Sequence, residues 1–282
     1  MLDAPLRSVL YLPANRASAV EKARTCDADA VILDLEDAVA PDAKADARTA
    51  AVAAVRDGGF GPRLLVVRIN GLDTLWGAED LAALSGTGVD AVLLPKVSSP
   101  GPLGKARAVL GDAAPLWAMI ETCQAFLNLG AIAAAPGLEA FVIGTNDLAL
   151  EMRCALDVDR SAMGSLLTQA IVAARANGLS VVDGVFNDLA DEEGLARQCA
   201  QGAAMGFDGK TVIHPKQIAS ANLAFAPSPA AIAQAQAVVE AFSLPENAGK
   251  GVIKVDGRMT EILHLRQAER LLAQHARIAA RG

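Results

Sequence analysis

The sequence predicts an α/β protein, a (β/α)8 barrel of the TIM type with a short C-terminal extension, and three observations carry that reading. The chain has 282 residues, and a barrel with its outer ring of helices needs roughly 250. Short runs of Val, Ile and Leu alternate with longer Ala-rich stretches of helical character, the pattern of a parallel sheet covered by helices. That strand-then-helix unit recurs eight times, which closes a barrel rather than leaving an open sheet.

In chain order the strands are expected at Ser8 to Leu12, Ala30 to Leu35, Leu64 to Ile69, Ala91 to Pro95, Leu116 to Ile120, Ala140 to Ile143, Ser180 to Asp183 and Ala204 to Gly209. Between them lie amphipathic stretches at Ala43 to Arg56, Leu75 to Leu84, Gln124 to Ala134, Ser161 to Asn177 and Leu189 to Gln201, each long enough to return the chain antiparallel to its strand. Asn177-Gly178 ends one helix with a residue suited to a left-handed cap, and Pro136-Gly137 breaks the chain before the sixth strand. Ala226-Pro227-Ser228-Pro229 reads as a turn into a helix of Ala230 to Phe242, taken as the eighth outer helix, so the barrel domain is expected to span 1–243. The extension, 244–282, holds a loop rich in Pro, Asn and Gly, a strand-like Val252 to Val255, a turn at Asp256-Gly257 and a helical stretch from Glu261 to Ile278.

Composition narrows the class. With 52% hydrophobic and 20% charged residues the chain can bury a large aliphatic core. Its apolar runs stop far short of the roughly 20 residues a membrane helix needs. The N-terminus has no basic segment leading into an apolar run, so a cytoplasmic location is expected. Cys26, Cys123, Cys154 and Cys199 lie far apart without paired metal-ligand spacing and read as free thiols. A formal charge of −7 argues against nucleic acid as the partner while leaving room for a small anion at a local basic cluster.

Chemistry in this fold gathers where strands end. The strands run into Asp34-Leu35-Glu36-Asp37, Arg68-Ile69-Asn70, Pro95-Lys96, Glu121-Thr122, Gly144-Thr145-Asn146-Asp147, Asp183-Gly184 and Asp208-Gly209-Lys210. Several carboxylates around one rim repel each other unless a cation sits among them, and a hard divalent ion fits a set without clustered Cys or His. Each acid also reads as a helix N-cap, Arg68 as a counter-charge to Glu36 or Asp37, and Lys96 as a solvated loop charge. Asp183 and Lys210 read as an ion pair closing the barrel. His214 reads as a structural residue of the loop after strand eight, while His264 and His275 are assigned no role.

Taken together, Arg7 to Pro13, Asp34 to Val39, Val67 to Asn70, Leu94 to Lys96, Met119 to Thr122, Gly144 to Leu148 and Lys210 to Pro215 resemble the citrate lyase β-subunit and malyl-CoA lyase family, in order and over nearly the whole chain. The family belongs with the phosphoenolpyruvate-binding barrels, and the resemblance implies a homotrimer or hexamer. It implies a magnesium-dependent carbon–carbon lyase that cleaves or forms a 3-hydroxyacyl-CoA such as malyl-, citramalyl- or citryl-CoA, with acetyl-CoA and a 2-oxo acid such as oxaloacetate on the other side. A malyl-CoA thioesterase, or a citrate lyase β-subunit working with partner subunits, are the alternatives.

By the same resemblance Glu121 and Asp147 are the metal ligands and Arg68 the clamp on the substrate carboxylate, with backbone amides around Gly144 and Thr145 helping to hold the acid. Glu36 and Asp37 order metal-bound water or Arg68, and Arg16 and Lys22 face the phosphates of coenzyme A. The segment Gly249 to Glu261 resembles the family's lid, reaching a neighbouring subunit's site. There Glu261 stands where malyl-CoA lyases place a catalytic aspartate after the Met, so it is expected as the base, or else as an acid at a helix start.

Overall fold

The computed structural model describes residues 4–281; the first three residues and Gly282, which the expected domain spans include, lie outside the described residues. Among the described residues, eight parallel strands close a barrel: β1 (Ser8–Pro13), β2 (Ala30–Asp34), β3 (Leu64–Arg68), β4 (Ala91–Leu94), β5 (Leu116–Ile120), β6 (Leu138–Ile143), β7 (Ser180–Asp183) and β8 (Gly209–Val212), with β8 pairing back to β1. The helices that cover it are α1 (Ala17–Ala23), α2 (Lys44–Asp57), α3 (Gly77–Leu84), α4 (Pro100–Leu110), α5 (Cys123–Leu127), α6 (Leu129–Ala133), α7 (Thr145–Met152), α8 (Gly164–Ala176), α9 (Glu192–Met205) and α10 (Ile218–Ala224).

Strand side chains alternate between two faces, and that parity separates two apolar layers. Val9, Ile32, Val66, Leu93, Trp117 and Val142 turn inward and fill the barrel. Leu10, Val31, Leu33, Val67, Leu94 and Phe141 turn outward and meet the helices in a much larger cluster. The interior is therefore a packed core below the strand ends, and only the last inward positions are left to form a cavity.

Three expectations need correction. Strand eight is Gly209–Val212 rather than Ala204 to Gly209; Ala204 and Met205 close α9, which stops where Gly206 takes φ +104°. Half of the true strand, Lys210 and Thr211, is polar, so an apolar-run criterion slid to the preceding helix end. The helix expected over Gln124 to Ala134 is two short ones, parted at Asn128, whose side chain donates to the Ser98 carbonyl at 2.7 Å.

The third correction concerns the boundary. The chain divides into compact units of 1–225 and 226–282, and the eighth outer helix is α10, packed on β1 and β8. Asn222 on α10 accepts a hydrogen bond from Ser8 at 2.7 Å and donates to the Asp27 carbonyl at 2.7 Å. The helix expected for that place, α11 (Pro229–Ser243), belongs to the C-terminal unit with β9 (Val252–Val255), β10 (Arg258–Glu261) and α12 (Ile262–Ala279). Its buried Ala235 and Val238 share a cluster with Ile253, Val255 and Ala268. β9 and β10 form an antiparallel hairpin whose turn residues Asp256 and Gly257 both have positive φ, as a type I′ turn requires. Among the described residues no helix is long and apolar enough to cross a membrane.

Candidate active site

The parity that fills the barrel also builds the site. Tyr11, Asp34, Arg68, Glu121 and Gly144 lie one inward step beyond the interior side chains Val9, Ile32, Val66, Met119 and Val142. With Asp37, Thr145, Asn146, Asp147, Asn187 and Thr211 they line a cavity of about 330 Å³ at the carboxyl ends of the strands.

Arg68 is buried and held from one side. Asp34 accepts from its Nε at 2.7 Å and its Nη2 at 2.6 Å, a side-on fork that fixes the guanidinium plane. Glu36 stands 2.8 Å from Nη1 without hydrogen-bond alignment, and Asp37 lies 3.8 Å away. The Tyr11 ring faces the guanidinium carbon at 5.0 Å. Away from Asp34, Nη1 meets only the Met119 sulfur at 3.4 Å as an aligned acceptor, so Arg68 is both a counter-charge and a donor still able to take a carboxylate. Asp34 itself is kept in place by the amides of Glu36 at 2.8 Å and Ala38 at 3.2 Å. Beneath that turn the buried Lys44 ammonium donates to the carbonyls of Leu35 and Glu36 at 2.8 and 2.7 Å.

Lys96 is more than a solvated loop charge. Its backbone sits in the left-handed region at φ 50°, rare for a residue with a side chain. That turn lets its amide donate to Glu121 Oε1 at 2.7 Å while its ammonium donates to Glu36 Oε1 at 2.8 Å. The same ammonium is 3.7 Å from Asp147 and 3.8 Å from Asp37. Surrounded by these acids, Lys96 is raised above the ordinary lysine range despite partial burial.

Glu121 shows the opposite pressure. Burial pushes its carboxyl up to about 7; the Lys96 amide opposes this, and the nearby Glu36 and Asp147 charges add to it. Such a carboxylate lacks sufficient positive charge in the protein alone. Its Oε2 lies where Gly144 leaves room: a Cβ on Gly144 would be 2.2 Å from that oxygen. Asp147 comes from the first turn of α7. Among the described residues no group of three or more His, Cys, Asp and Glu has metal-binding spacing. Two carboxylates on one cavity suit a hard ion that takes one or two protein oxygens and completes its shell with water and ligand, and do not suit an all-protein cage.

Thr145 is also poised. Its Oγ1 is buried, has no hydrogen-bond partner and lines the cavity. Gly184 makes the space behind it, since a Cβ there would lie 2.7 Å from the threonine hydroxyl. The Gly144 amide, expected to help hold a ligand, instead donates to the Ile120 carbonyl at 3.1 Å, so Gly144 contributes room rather than a donor.

Other sequence candidates fall elsewhere. Asp183 and Lys210 have outward parity and pair at 3.1 Å in a buried network with Arg160 and Gln198, between the sheet and α9. Lys210 is fully buried, and desolvation lowers its pKa. His214 caps the turn after β8, accepting from the Lys216 amide at 3.1 Å. Arg16 and Lys22 are exposed, Arg16 just beyond the carboxyl end of β1 and Lys22 in the last turn of α1. Glu261 lies in the C-terminal unit as the N-cap of α12, in a capping box whose return bond runs from its amide to His264 Nδ1 at 2.9 Å. Tyr11 and Met119 were not singled out from the sequence as site residues, and Asp34 and Lys96, though named at the rim, were given no role in the site. The signal for Tyr11, Asp34 and Met119 was the two-residue step inward from Val9, from Ile32 and to Glu121.

Comparison with known proteins agrees with this geometry. The sequence profile of the HpcH/HpaI aldolase/citrate lyase family matches residues 7–215. A (3S)-malyl-CoA thioesterase of Cereibacter sphaeroides is 49% identical over 276 residues, covering 98% of this chain and 96% of the relative. An L-malyl-CoA/beta-methylmalyl-CoA lyase of Cereibacter sphaeroides is 34% identical over 310 aligned positions, again covering 98% and 96%. Among solved structures, protein CitE from Mycobacterium tuberculosis in complex with magnesium, acetoacetate and coenzyme A is 32% identical, with a TM-score of 0.81 and coverage of 98% of this chain and 100% of that one.

Proposed function

Because this chain belongs to the HpcH/HpaI aldolase/citrate lyase family, we propose that it is a magnesium-dependent enzyme that hydrolyses the thioester of a malyl-CoA-type substrate to coenzyme A and a 2-hydroxy dicarboxylate. The observation that favours hydrolysis over the carbon–carbon cleavage expected from the sequence is the likeness to the thioesterase, 49% identity against 34% for the lyase over the same share of the chain.

The acid end of the substrate would be read by this chain's own groups. Arg68 offers its remaining edge to the carboxylate, and Thr145 offers its free hydroxyl to the substrate hydroxyl beside it. Glu121 and Asp147 would hold the magnesium, which supplies Lewis acidity and charge for the hydroxyl and carboxylate oxygens. Lys96 fixes Glu121 through its amide and balances Glu36 and Asp147 through its ammonium. Arg16, beyond the end of β1, is assigned to the coenzyme phosphates, with Lys22 as a second contact. At the thioester, water adds to the carbonyl carbon, the carbon–sulfur bond breaks and the thiolate takes up a proton. Glu261, which the resemblance implies as the lyase-type base reaching the site from a neighbouring subunit, is assigned here to draw a proton from that water.

Carbon–carbon cleavage is the second reading, favoured by the whole-chain likeness to CitE and to the lyase, because a site for a 2-hydroxy acid equally suits the 2-oxo acid that cleavage leaves. Products decide: malyl-CoA with magnesium should give free coenzyme A and malate, whereas acetyl-CoA and glyoxylate would overturn hydrolysis in favour of cleavage. Glu261→Gln should lower turnover about a hundredfold while leaving acid binding unchanged; normal turnover would remove Glu261 from the mechanism.

A further inference from the structure

Two proton donors in the cavity converge on one weak acceptor. The Tyr11 hydroxyl donates to the Met119 sulfur at 3.6 Å, and Arg68 Nη1 donates to the same sulfur at 3.4 Å. All three residues line the cavity. A thioether is a weak acceptor, and donors resting on it gain much less than they would from an anionic oxygen. The guanidinium cannot turn to seek another partner, because Asp34 holds its other edge through two bonds of 2.6 and 2.7 Å. Nor can the phenol, whose ring is stacked beneath that guanidinium at 5.0 Å. Met119 is the mobile member: it is unbranched, with rotatable bonds that let the sulfur leave without moving the strand.

We infer that Tyr11 is a substrate-binding residue: its hydroxyl and Arg68 Nη1 form a two-donor seat for one carboxylate oxygen of a 2-hydroxy or 2-oxo acid, and the Met119 sulfur occupies that seat until the acid displaces it. The inference rests on the proposed reading of the cavity as an acid site and adds the group that selects the acid. Two donors converging on one point favour an ionised carboxylate over a carboxamide, whose oxygen is a weaker partner for the same hydrogen bonds.

Tyr11 is the only tyrosine of the chain, so protein labelled with ring-13C tyrosine reports on this one side chain. The experiment titrates pyruvate and L-malate, with magnesium, into the labelled full-length protein and into Tyr11→Phe and Met119→Leu, reading affinity by calorimetry and the Tyr11 Cζ resonance by NMR. In the parent, saturation should shift that resonance downfield as the acceptor changes from sulfur to carboxylate. Tyr11→Phe should bind about tenfold more weakly or worse, the usual loss for a hydrogen bond to a charged group. Met119→Leu should bind at least as tightly as the parent, and its ligand-free Tyr11 resonance should already differ.

An acid that binds the parent and Tyr11→Phe equally and leaves the Tyr11 resonance unmoved overturns the seat while the acid-site reading stands. Failure of the parent to bind either acid overturns both. If Met119→Leu loses as much affinity as Tyr11→Phe, Met119 is a lasting contact and the exchange is overturned.

Discussion

Arg68 owes its orientation to Asp34 before any ligand arrives. The side-on fork between them fixes the guanidinium plane, which a lysine ammonium could not reproduce. Arg68→Lys is therefore expected to weaken binding of pyruvate or L-malate by about tenfold or more, with cooperative unfolding retained; parental affinity in calorimetry would reduce Arg68 to a counter-charge for Glu36. Glu121 gives a second prediction at this scale. Burial raises its carboxyl to about 7, so the fold holds its ionised form badly. The resulting instability is present above that pH in metal-free protein and fades as pH falls toward the ordinary carboxylate range, where folded and unfolded chains are both protonated. Glu121→Gln should accordingly be more stable than the parent in EDTA at pH 8, by about 1 to 3 kcal/mol, and should lose magnesium binding. Denaturant midpoints at pH 8 and pH 5 check the sign: an equal difference at both would detach it from the carboxyl.

At the scale of elements, β6 and α7 meet at Gly144, and the site depends on what that residue lacks. An added methyl would fall 2.2 Å from Glu121 Oε2 and 2.5 Å from Glu121 Cβ, both part of a buried side chain with little room to retreat. Gly144→Ala should cost about 1 to 3 kcal/mol of stability from overpacking and weaken magnesium binding at least tenfold; unchanged binding would show that Glu121 can shift without consequence. Strand parity made much of this region readable, since Asp34, Arg68 and Glu121 each follow an inward apolar residue by two positions. The same rule explains why Asp183, at the end of β7, and Lys210, within β8, serve the layer outside the barrel. It gave no help with Lys96, which acts through a positive φ that nothing in the Pro95-Lys96 dipeptide announces.

Across the whole molecule the apolar clusters respect the division of the chain. Members of the two barrel clusters end at Phe225, and members of the third begin at Ala235. A chain ending at Phe225 is thus expected to melt cooperatively and stay soluble. One ending at Ser243 would keep α11 but strip Ala235 and Val238 of Ile253, Val255 and Ala268, exposing an apolar helix face that promotes association. Light scattering and melting curves of the two truncations compare them directly; equal behaviour would return α11 to the barrel.

Legible in the sequence were the closed barrel, seven of its eight strands to within about two residues, the rim from which the site is built, and the first strand, turn and helix of the C-terminal unit, but not the strand β10 that completes its hairpin. Those features follow from short-range rules: alternation along a strand, helical periodicity, Gly and Pro at turns, and polar residues where a strand runs out. Packing in three dimensions settles that Asp34 orients Arg68, that Lys96 bridges Glu36 and Glu121 through two different atoms, that α10 rather than α11 completes the ring, and that the Tyr11 hydroxyl meets the Met119 sulfur. Each is a contact between residues far apart in the chain, set by the stagger of strands around the barrel, and no local pattern records which of several acids and cations at one rim come to face each other.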